Sequence, residues 1–251
     1  MGTSTSSAYS YSVAPHLQAE FDVPLSAFAA AHAEYTDFVV GGFIFSERRR
    51  STSTSTSITS SSPALMTATA TAAAPRMLLL QRAWSDSYGG YWDFPGGSIE
   101  TESDATLLDG VAREVFEETG YHVSRIRELV TVDTWTRMSR VRGERRVAKF
   151  SFIVEVHESA AALSSGGGEE IHAESKDDSV VVQQKPVDWE DQVILAESEH
   201  QRYTWATEEE VETSVINKRN GRREEGPYIF AGVQGATALE AFRKYKGLAR
   251  E

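Results

Sequence analysis

Runs of apolar residues separated by polar turns predict several β-strands. Asp37–Phe45 (DFVVGGFIF) and residues 76–82 (RMLLLQR) are short, nearly continuous apolar runs, which are typical of buried strands. Residues 128–138 and 146–157 mix alternating and continuous apolar positions and also predict strands, and a fifth strand ends near Trp205. A hairpin between the first two strands would place the residues between them at its turn.

Helical spacing of apolar residues predicts four helices. A short helix follows Val23, a second begins near Asp104 or Thr106, a third follows Thr207, and a fourth spans 235–248. The second helix is the best defined, because a stripe of apolar residues with the spacing of a core face is followed by a glycine: Leu107, Leu108, Val111, Val115 and then Gly120. Strands and helices therefore both contribute to the predicted fold.

Three segments have a composition that predicts flexibility. Residues 1–15 form a polar lead, residues from about 46 to 75 are rich in Ser, Thr and Ala, and residues from about 158 to 178 are rich in Gly and acidic side chains. Such segments cannot bury enough apolar surface to offset the entropy lost on ordering. We therefore predict one domain at 16–251, interrupted by two disordered surface insertions.

The charge and composition restrict the classes of function. The 251 residues carry a formal net charge of −12, which disfavours a protein that coats nucleic acid through phosphate neutralisation. The chain has no cysteine, so a metal ion would be held by oxygen or imidazole ligands. We find no signal peptide and no apolar run that could span a membrane, and we predict a cytoplasmic or nuclear protein with no membrane partner. The oligomeric state is left open.

An unusual cluster of carboxylates lies near the end of the second predicted helix. Glu114, Glu117 and Glu118 project from one face, where like charges repel and where the helix dipole disfavours anions. A purely structural helix would gain stability from a lysine at one of these positions. A hard divalent cation, by contrast, takes several oxygen ligands, so the cluster predicts a metal site. Arg113 can orient Glu117 through an ion pair across one helical turn.

The residues around this cluster resemble the Nudix box, the signature of the Nudix hydrolase superfamily. The segment REVFEETGY at 113–121 matches the second half of the box, and WDFPGG at 92–97 resembles the usual approach to it. The first half departs from the pattern, because the segment between Gly97 and Arg113 is two residues longer. The isolated glutamate of that half could be Glu102.

The resemblance implies a fold and an activity. The expected fold is an α/β (α+β) protein, an α/β/α sandwich with a central mixed β-sheet. The expected reaction is hydrolysis of a pyrophosphate linkage in a nucleoside diphosphate or another organic diphosphate, assisted by Mg²⁺ or Mn²⁺. The expected partner is thus a small diphosphate substrate, and a nucleic acid is not expected. Two other functions stay open, namely a catalytically weak binding module and an RNA-end (decapping) pyrophosphohydrolase.

The same resemblance assigns roles to individual residues. It implies that the metal ligands are Glu114, Glu117, Glu118 and the carbonyl of Gly97. It implies further that one of the glutamates helps to deprotonate water and that Arg113 orients the carboxylates. Many members of the superfamily use another carboxylate from outside the box, and the candidates for this additional base are Glu197 and Glu199. A solvent-facing position without such a role is the favoured interpretation of both.

Basic and aromatic side chains provide candidates for substrate binding. Arginines concentrate in a predicted hairpin, and arginine binds phosphate through paired hydrogen bonds. The candidates are Arg82, Arg137, Arg140, Arg145 and Tyr91. A solvated hairpin edge protected by charge is the alternative interpretation of the arginines, and packing in the core is the alternative for Tyr91.

Overall fold

The computed structural model describes residues 9–47, 74–164, 188–221 and 226–248. Its strands, in chain order, are β1 (Ser12–Val13), β2 (Asp37–Ser46), β3 (Arg76–Arg82), β4 (Trp92–Asp93), β5 (Val123–Ser139), β6 (Gly143–Val156) and β7 (His200–Thr207). Its helices are α1 (Pro15–Phe21), α2 (Leu25–Ala31), α3 (Leu107–Thr119), α4 (His157–Ser164), α5 (Glu208–Arg219) and α6 (Gln234–Leu248). None of these helices is long and apolar enough to cross a bilayer.

The strands form one mixed sheet in the order β1-β5-β6-β2-β3-β4, with β7 paired to β3. β2 runs parallel to β6, whereas β5 and β6 form a long antiparallel hairpin. β2 and β3 pair antiparallel at Phe45–Met77 and Ser46–Arg76, so the predicted hairpin is confirmed.

Helices cover both faces of the sheet, as the alternation of side chains along a buried strand requires. On β3, Leu78 and Leu80 face a core that contains α1, α2 and α3, whereas Met77 and Leu79 face a core that contains α5 and α6. The predicted α/β/α sandwich with a central mixed sheet is therefore confirmed.

Helix α3 is defined by local signals at both ends. Thr106 caps its first turn in a reciprocal capping box with Asp109, the N–H of Asp109 donating to the Thr106 hydroxyl at 3.0 Å. Gly120 ends the helix with a φ of 74°, a left-handed conformation that strains residues with a Cβ and that glycine adopts readily. The predicted helix is therefore confirmed, and its two ends determine the direction in which its glutamates project.

Two of the predicted flexible segments are shorter than expected, because part of each belongs to an ordered element of the structure. Within the predicted lead, Ser12–Val13 pairs in parallel with β5, and the Tyr11 hydroxyl donates to Asp109 at 2.8 Å, so this part of the lead is built into the sheet and against α3. The predicted loop from about 158 begins instead as helix α4, because His157–Ser164 continues directly from β6. The rest of the predicted insertions, at 48–73 and 165–178, lies outside the described residues, as do residues 1–8 and 179–187.

A buried ion pair joins the ends of β2 and β3. Arg76 donates from Nη2 to both carboxylate oxygens of Glu190, at 2.6 and 2.7 Å, and the Ser46 hydroxyl donates to the same carboxylate. Glu190 belongs to a short 3₁₀ turn, Trp189–Asp191, and is buried. One side chain from a distant part of the sequence therefore joins the paired ends of β2 and β3.

Candidate active site

Arg113 is the centre of a buried network on α3. Its guanidinium donates to both carboxylate oxygens of Asp104 at 3.0 Å, to Glu114 Oε1 at 2.9 Å and to Glu117 Oε2 at 2.9 Å. A further hydrogen bond, 2.9 Å long, reaches the carbonyl of Ser98 in the preceding turn. Arg113 thus orients two of the three clustered carboxylates and holds the turn against the helix.

In the turn before α3, the acid that pairs with Arg113 is Asp104. Glu102, which the sequence offered as the isolated acid of the box, is exposed in the turn two residues earlier. Asp104 is buried, and its Oδ2 also accepts from the backbone N–H of Glu100 at 2.8 Å. The longer loop folds into a compact turn that presents an aspartate, which is why a search for a glutamate at a fixed spacing missed it.

Glu114 and Glu118 point inwards, whereas Glu117 is half exposed. The exposed fraction is 8% for Glu114 and 4% for Glu118. Glu118 is held by the backbone N–H of Gly96, which donates to Oε2 at 2.9 Å. Burial raises the pKa of Glu114 to about 7 against the opposing effect of Arg113, and it raises the pKa of Glu118 well above its usual range, with the charges of Glu114, Asp93 and Glu199 adding to the shift.

The glycine turn allows the backbone to approach this cluster closely. A Cβ on Gly97 would lie 2.6 Å from Glu114 Oε1, and a Cβ on Gly96 would lie 2.2 Å from the carbonyl oxygen of Val40. The carbonyl of Gly97 accepts from the Val40 N–H at 2.9 Å, so β2 fixes the turn from the other side. The Gly97 backbone and the Glu114 carboxylate therefore lie side by side.

Substituting Gly97 by alanine should displace the Glu114 carboxylate. We expect Gly97→Ala to weaken Mn²⁺ binding by about tenfold or more, the range found when the groups around a metal site are disturbed. The melting temperature of the metal-free protein should change little, because the atoms that must move are the end of a side chain. Titration calorimetry and thermal melts measure the two quantities. Gly247→Ala, where nothing lies within 4 Å of the new Cβ, is the control; unchanged Mn²⁺ affinity in Gly97→Ala would contradict the predicted role of this turn.

A carboxylate and an imidazole from the start of β7 join the cluster. Ligand atoms of Glu118, Glu199 and His200 all lie within 4.8 Å of one another. Glu199 is exposed at the end of a turn, and its backbone carbonyl accepts from the N–H of Ala83 at 2.7 Å. Glu197 is exposed in the same turn and is not part of this group, so of the two candidates for an additional base the structure brings Glu199 to the carboxylates.

His200 is a site residue that the sequence reasoning missed. Its exposed fraction is 3%, and burial, together with the nearby charge of Arg82, lowers its pKa to about 4. Nδ1 lies 4.0 Å from Glu118 Oε1 and has no hydrogen-bond partner among the described residues. Its position directly after Glu199 was the signal that could have identified it.

A buried cation also lies near the cluster. Lys149, on β6, places Nζ 3.5 Å from Asp93 Oδ1 and 4.1 Å from the ring centroid of Phe94. Asp93 is close enough to raise the pKa of Glu118, which shows that this pair belongs to the same electrostatic environment. Neither residue was singled out as a site residue from the sequence.

The candidate substrate-binding residues fall into two groups. Arg82 is the Cα partner of His200 across β3 and β7 and donates to Ser87 O at 2.9 Å and to Asp86. Tyr91 lines a neighbouring cleft of about 380 Å³ together with Tyr88 and Tyr228.

The three hairpin arginines have other surroundings. Arg145 donates from Nε to Asp37 Oδ2 at 2.7 Å, Arg137 lies 3.9 Å from the same oxygen, and Arg140 is exposed in the turn. In the described part of the chain, none of their contacts reaches the glutamates of α3. Arg145 therefore ties the hairpin to β2, and it is Arg82 that the structure places beside the cluster.

The donor set suits a divalent cation. The site contains buried carboxylates with raised pKa values, a backbone turn that a Cβ would fill, and a buried imidazole nitrogen without a partner in the described part of the chain. Of the α3 glutamates, Glu118 belongs to the group of ligand atoms that lie within 4.8 Å of one another. Oxygen and imidazole ligands are those used by Mg²⁺, Mn²⁺ and the later divalent metals. The residues therefore fit such an ion.

One comparison with known proteins identifies a family. A family model described as a NUDIX domain matches residues 64–227. A search of curated proteins finds no match. Among solved structures, the chain is similar to a NUDIX hydrolase from Nitrosomonas europaea, with 13% identity over 83% of this chain and 89% of that chain and a TM-score of 0.40.

Two further solved structures have similar sequence identities, coverages and TM-scores. The NUDIX domain of Shewanella oneidensis NrtR in complex with ADP ribose has 14% identity over 87% of this chain and 97% of that chain, with a TM-score of 0.42. A C. elegans Ap4A hydrolase has 14% identity over 86% of this chain and 98% of that chain, with a TM-score of 0.38. These similarities concern the fold alone.

Proposed function

The chain belongs to the Nudix family, and from this premise we propose that it is a metal-dependent hydrolase that cleaves a pyrophosphate linkage in a nucleoside diphosphate or a related organic diphosphate. The observation that supports this most strongly is the pair of buried glutamates, Glu114 and Glu118, whose charges the fold keeps close together at a cost in stability. A module that only binds a ligand has no need of such a pair, because replacing one member would remove the repulsion.

The proposed ligands of the ion are Glu114, Glu117, Glu118 and the carbonyl of Gly97, with Mg²⁺ or Mn²⁺ as the ion. When bound, the ion neutralises charge on the diphosphate oxygens and lowers the pKa of a water molecule. Arg113 holds Glu114 and Glu117 in place through the hydrogen bonds at Nη1.

Glu199 and Arg82 complete the proposed reaction. Glu199, exposed beside Glu118, accepts the proton from the attacking water as the new oxygen bond to phosphorus forms and the bridging phosphoanhydride bond breaks. Arg82 lies on the adjacent strand and can bind a substrate phosphate, and the cleft at Tyr91 offers an aromatic surface for the group attached to the diphosphate. We propose that the chain acts as a single domain in the cytoplasm, with a small molecule as substrate, and that this domain begins at Tyr11 because Tyr11–Val13 is built into the fold.

A panel of diphosphates tests the proposal. It contains nucleotide sugars, dinucleoside polyphosphates, NADH, ADP-ribose, oxidised nucleotides, inositol pyrophosphates and a capped RNA oligonucleotide, each with Mg²⁺ or Mn²⁺. We expect metal-dependent release of phosphate or phosphate-ended products from at least one class, and cleavage of the capped RNA alone would favour the RNA-end alternative.

Glu117→Gln is the matching variant, because the side chain is half exposed and its loss should spare the fold. We expect turnover to fall by orders of magnitude, since the substitution removes a charged ligand. Glu212→Gln, at an exposed helical position on α5, is the charge-matched control and should behave as wild type. Silence across the panel with ligand binding intact would support the binding module, and full activity in Glu117→Gln would contradict the proposed site.

A further inference from the structure

The imidazole of His200 has a buried nitrogen that the protein leaves without a partner. Nδ1 makes no hydrogen bond in the described part of the chain, although the side chain is only 2% exposed. A buried polar atom without a partner costs free energy, and such atoms are rare in folded proteins unless an ion or a functional role accounts for them. The nitrogen faces Glu118 Oε1 at 4.0 Å, which is too long for a hydrogen bond.

The spacing of the surrounding atoms is close to that of the ligands of a divalent cation. The ligand atoms of Glu118, Glu199 and His200 lie within 4.8 Å of one another. Ligands at about 2.1 Å from a divalent cation are separated by about 3 to 4 Å, so a small inward movement completes the site. Glu199 is exposed and can make this movement, whereas Glu118 and His200 are buried.

The two buried groups are already held in position. The backbone N–H of Gly96 donates to Glu118 Oε2, which leaves Oε1 directed towards His200. The backbone N–H of His200 donates to the carbonyl of Ala196 at 2.8 Å, and the residue pairs with Arg82 across the sheet. Two carboxylates and a neutral ring also supply the charge that balances a divalent cation.

We propose that Glu118, Glu199 and His200 form a mixed oxygen and nitrogen site in which His200 coordinates a divalent transition-metal ion, while Glu199 binds through one carboxylate oxygen and keeps the other to accept a proton. The inference rests on the proposed function in that the ion serves the same active site, and it deepens that function by naming a ligand outside the helix α3 glutamates. Imidazole favours the later first-row metals, whereas Mg²⁺ prefers oxygen. The site should therefore prefer Co²⁺ to Mg²⁺ more strongly than a set of carboxylates would.

Pulsed electron paramagnetic resonance of the full chain loaded with Mn²⁺ tests the ligand directly. We expect the wild type to show hyperfine coupling from a directly bound ¹⁴N nucleus, and we expect His200→Gln to lose it. His16→Gln, which alters an exposed histidine on α1, should keep the coupling. In calorimetric titrations, His200→Gln should lose on the order of tenfold or more in Co²⁺ affinity, at least the loss seen when an outer partner of a ligand is removed, with a smaller change for Mg²⁺.

The outcomes separate this inference from the proposed hydrolase activity. Metal-dependent hydrolysis in a wild type without nitrogen coupling would overturn the role of His200 and leave the hydrolase proposal standing. Nitrogen coupling without cleavage of any diphosphate would support the site and count against the hydrolase. Coupling that persists in His200→Gln, or failure of the wild type to bind Mn²⁺, would overturn the inference, and the wild-type spectrum decides the question even if the variant does not fold.

Discussion

Replacing Glu118 by glutamine should abolish diphosphate hydrolysis and, in the metal-free protein, make the fold more stable at pH 8. The side chain is buried beside Glu114, Glu199 and Asp93, so its negative charge is costly without an ion, and the same charge is what the ion requires. Glutamine keeps an oxygen that can accept from the Gly96 N–H. The variant therefore loses the charge and retains the shape.

The sign of the pH dependence follows from the raised pKa. A carboxyl group with a folded pKa above its unfolded value contributes stability that is complete below the unfolded pKa and is lost as pH rises through the folded pKa. The gain from Glu118→Gln should thus be small near pH 4 and grow towards pH 8. Glu114 has the same sign, and its rise from 4.5 to about 7 corresponds to about 3 kcal/mol lost by the metal-free wild type over that interval.

Thermal melts at several pH values with a chelator present, and initial rates with saturating Mn²⁺, measure the two effects. Glu212→Gln is the control for removal of one negative charge on an exposed helix, and it should show neither effect. Wild-type turnover in Glu118→Gln, or a lower melting temperature at pH 8, would show that this glutamate has been assigned the wrong role.

Replacing Asp104 by asparagine should cause the largest loss of stability among the site variants. Asp104 is fully buried and makes two hydrogen bonds to Arg113, whose side chain is 5% exposed. Removing one partner of a buried ion pair costs about 3 to 5 kcal/mol. We expect the lower end of this range, because Arg113 keeps its hydrogen bonds to Glu114 and Glu117. For a chain of this size, that corresponds to a melting temperature lower by about 10 °C.

The matched control for this variant is Glu102→Gln, two residues away in the same turn and exposed. Its free energy of unfolding in urea should lie within about 0.5 kcal/mol of wild type. Equal losses in the two variants would mean that the turn tolerates no change of charge, and they would contradict a specific role for the Asp104–Arg113 pair. In Asp104→Asn, activity should also fall, because Arg113 then orients Glu114 and Glu117 less firmly.

The sequence was most informative where the determinants are local. The phase of the α3 glutamates follows from helix geometry, and Thr106 and Gly120 mark the ends of the helix, so the cluster could be predicted from one short segment. Asp104 could not, because the longer turn moved the acid out of the expected register. The family signature thus located the helix but not the partner of its arginine.

Residues that reach the site through the sheet could not be placed from the sequence. His200 and Glu199 meet Glu118 only because β7 pairs with β3, a contact between segments more than a hundred residues apart along the chain. The arginine-rich hairpin provided candidates for phosphate binding, with a solvated edge as the alternative. Arg145 pairs with Asp37, and that ion pair depends on the parallel alignment of β2 with β6. The pattern of charges along the sequence does not show which arginines form ion pairs within the fold.

Glu190 holds the ends of β2 and β3 together, and this contact suggests a place at which the chain can be divided into two fragments. β3 runs from Arg76, beside this contact, to Arg82, beside His200, so about 20 Å of strand separates the junction from the carboxylates. On either side of the junction, β2 is held by β6 and β3 by β7, and Ser46 and Arg76 share one carboxylate. We therefore expect that the coding sequence can be split between Ser46 and Arg76 into two co-expressed fragments, or can take a reporter domain there. The pairing of β2 with β6 and of β3 with β7 would hold the two fragments together.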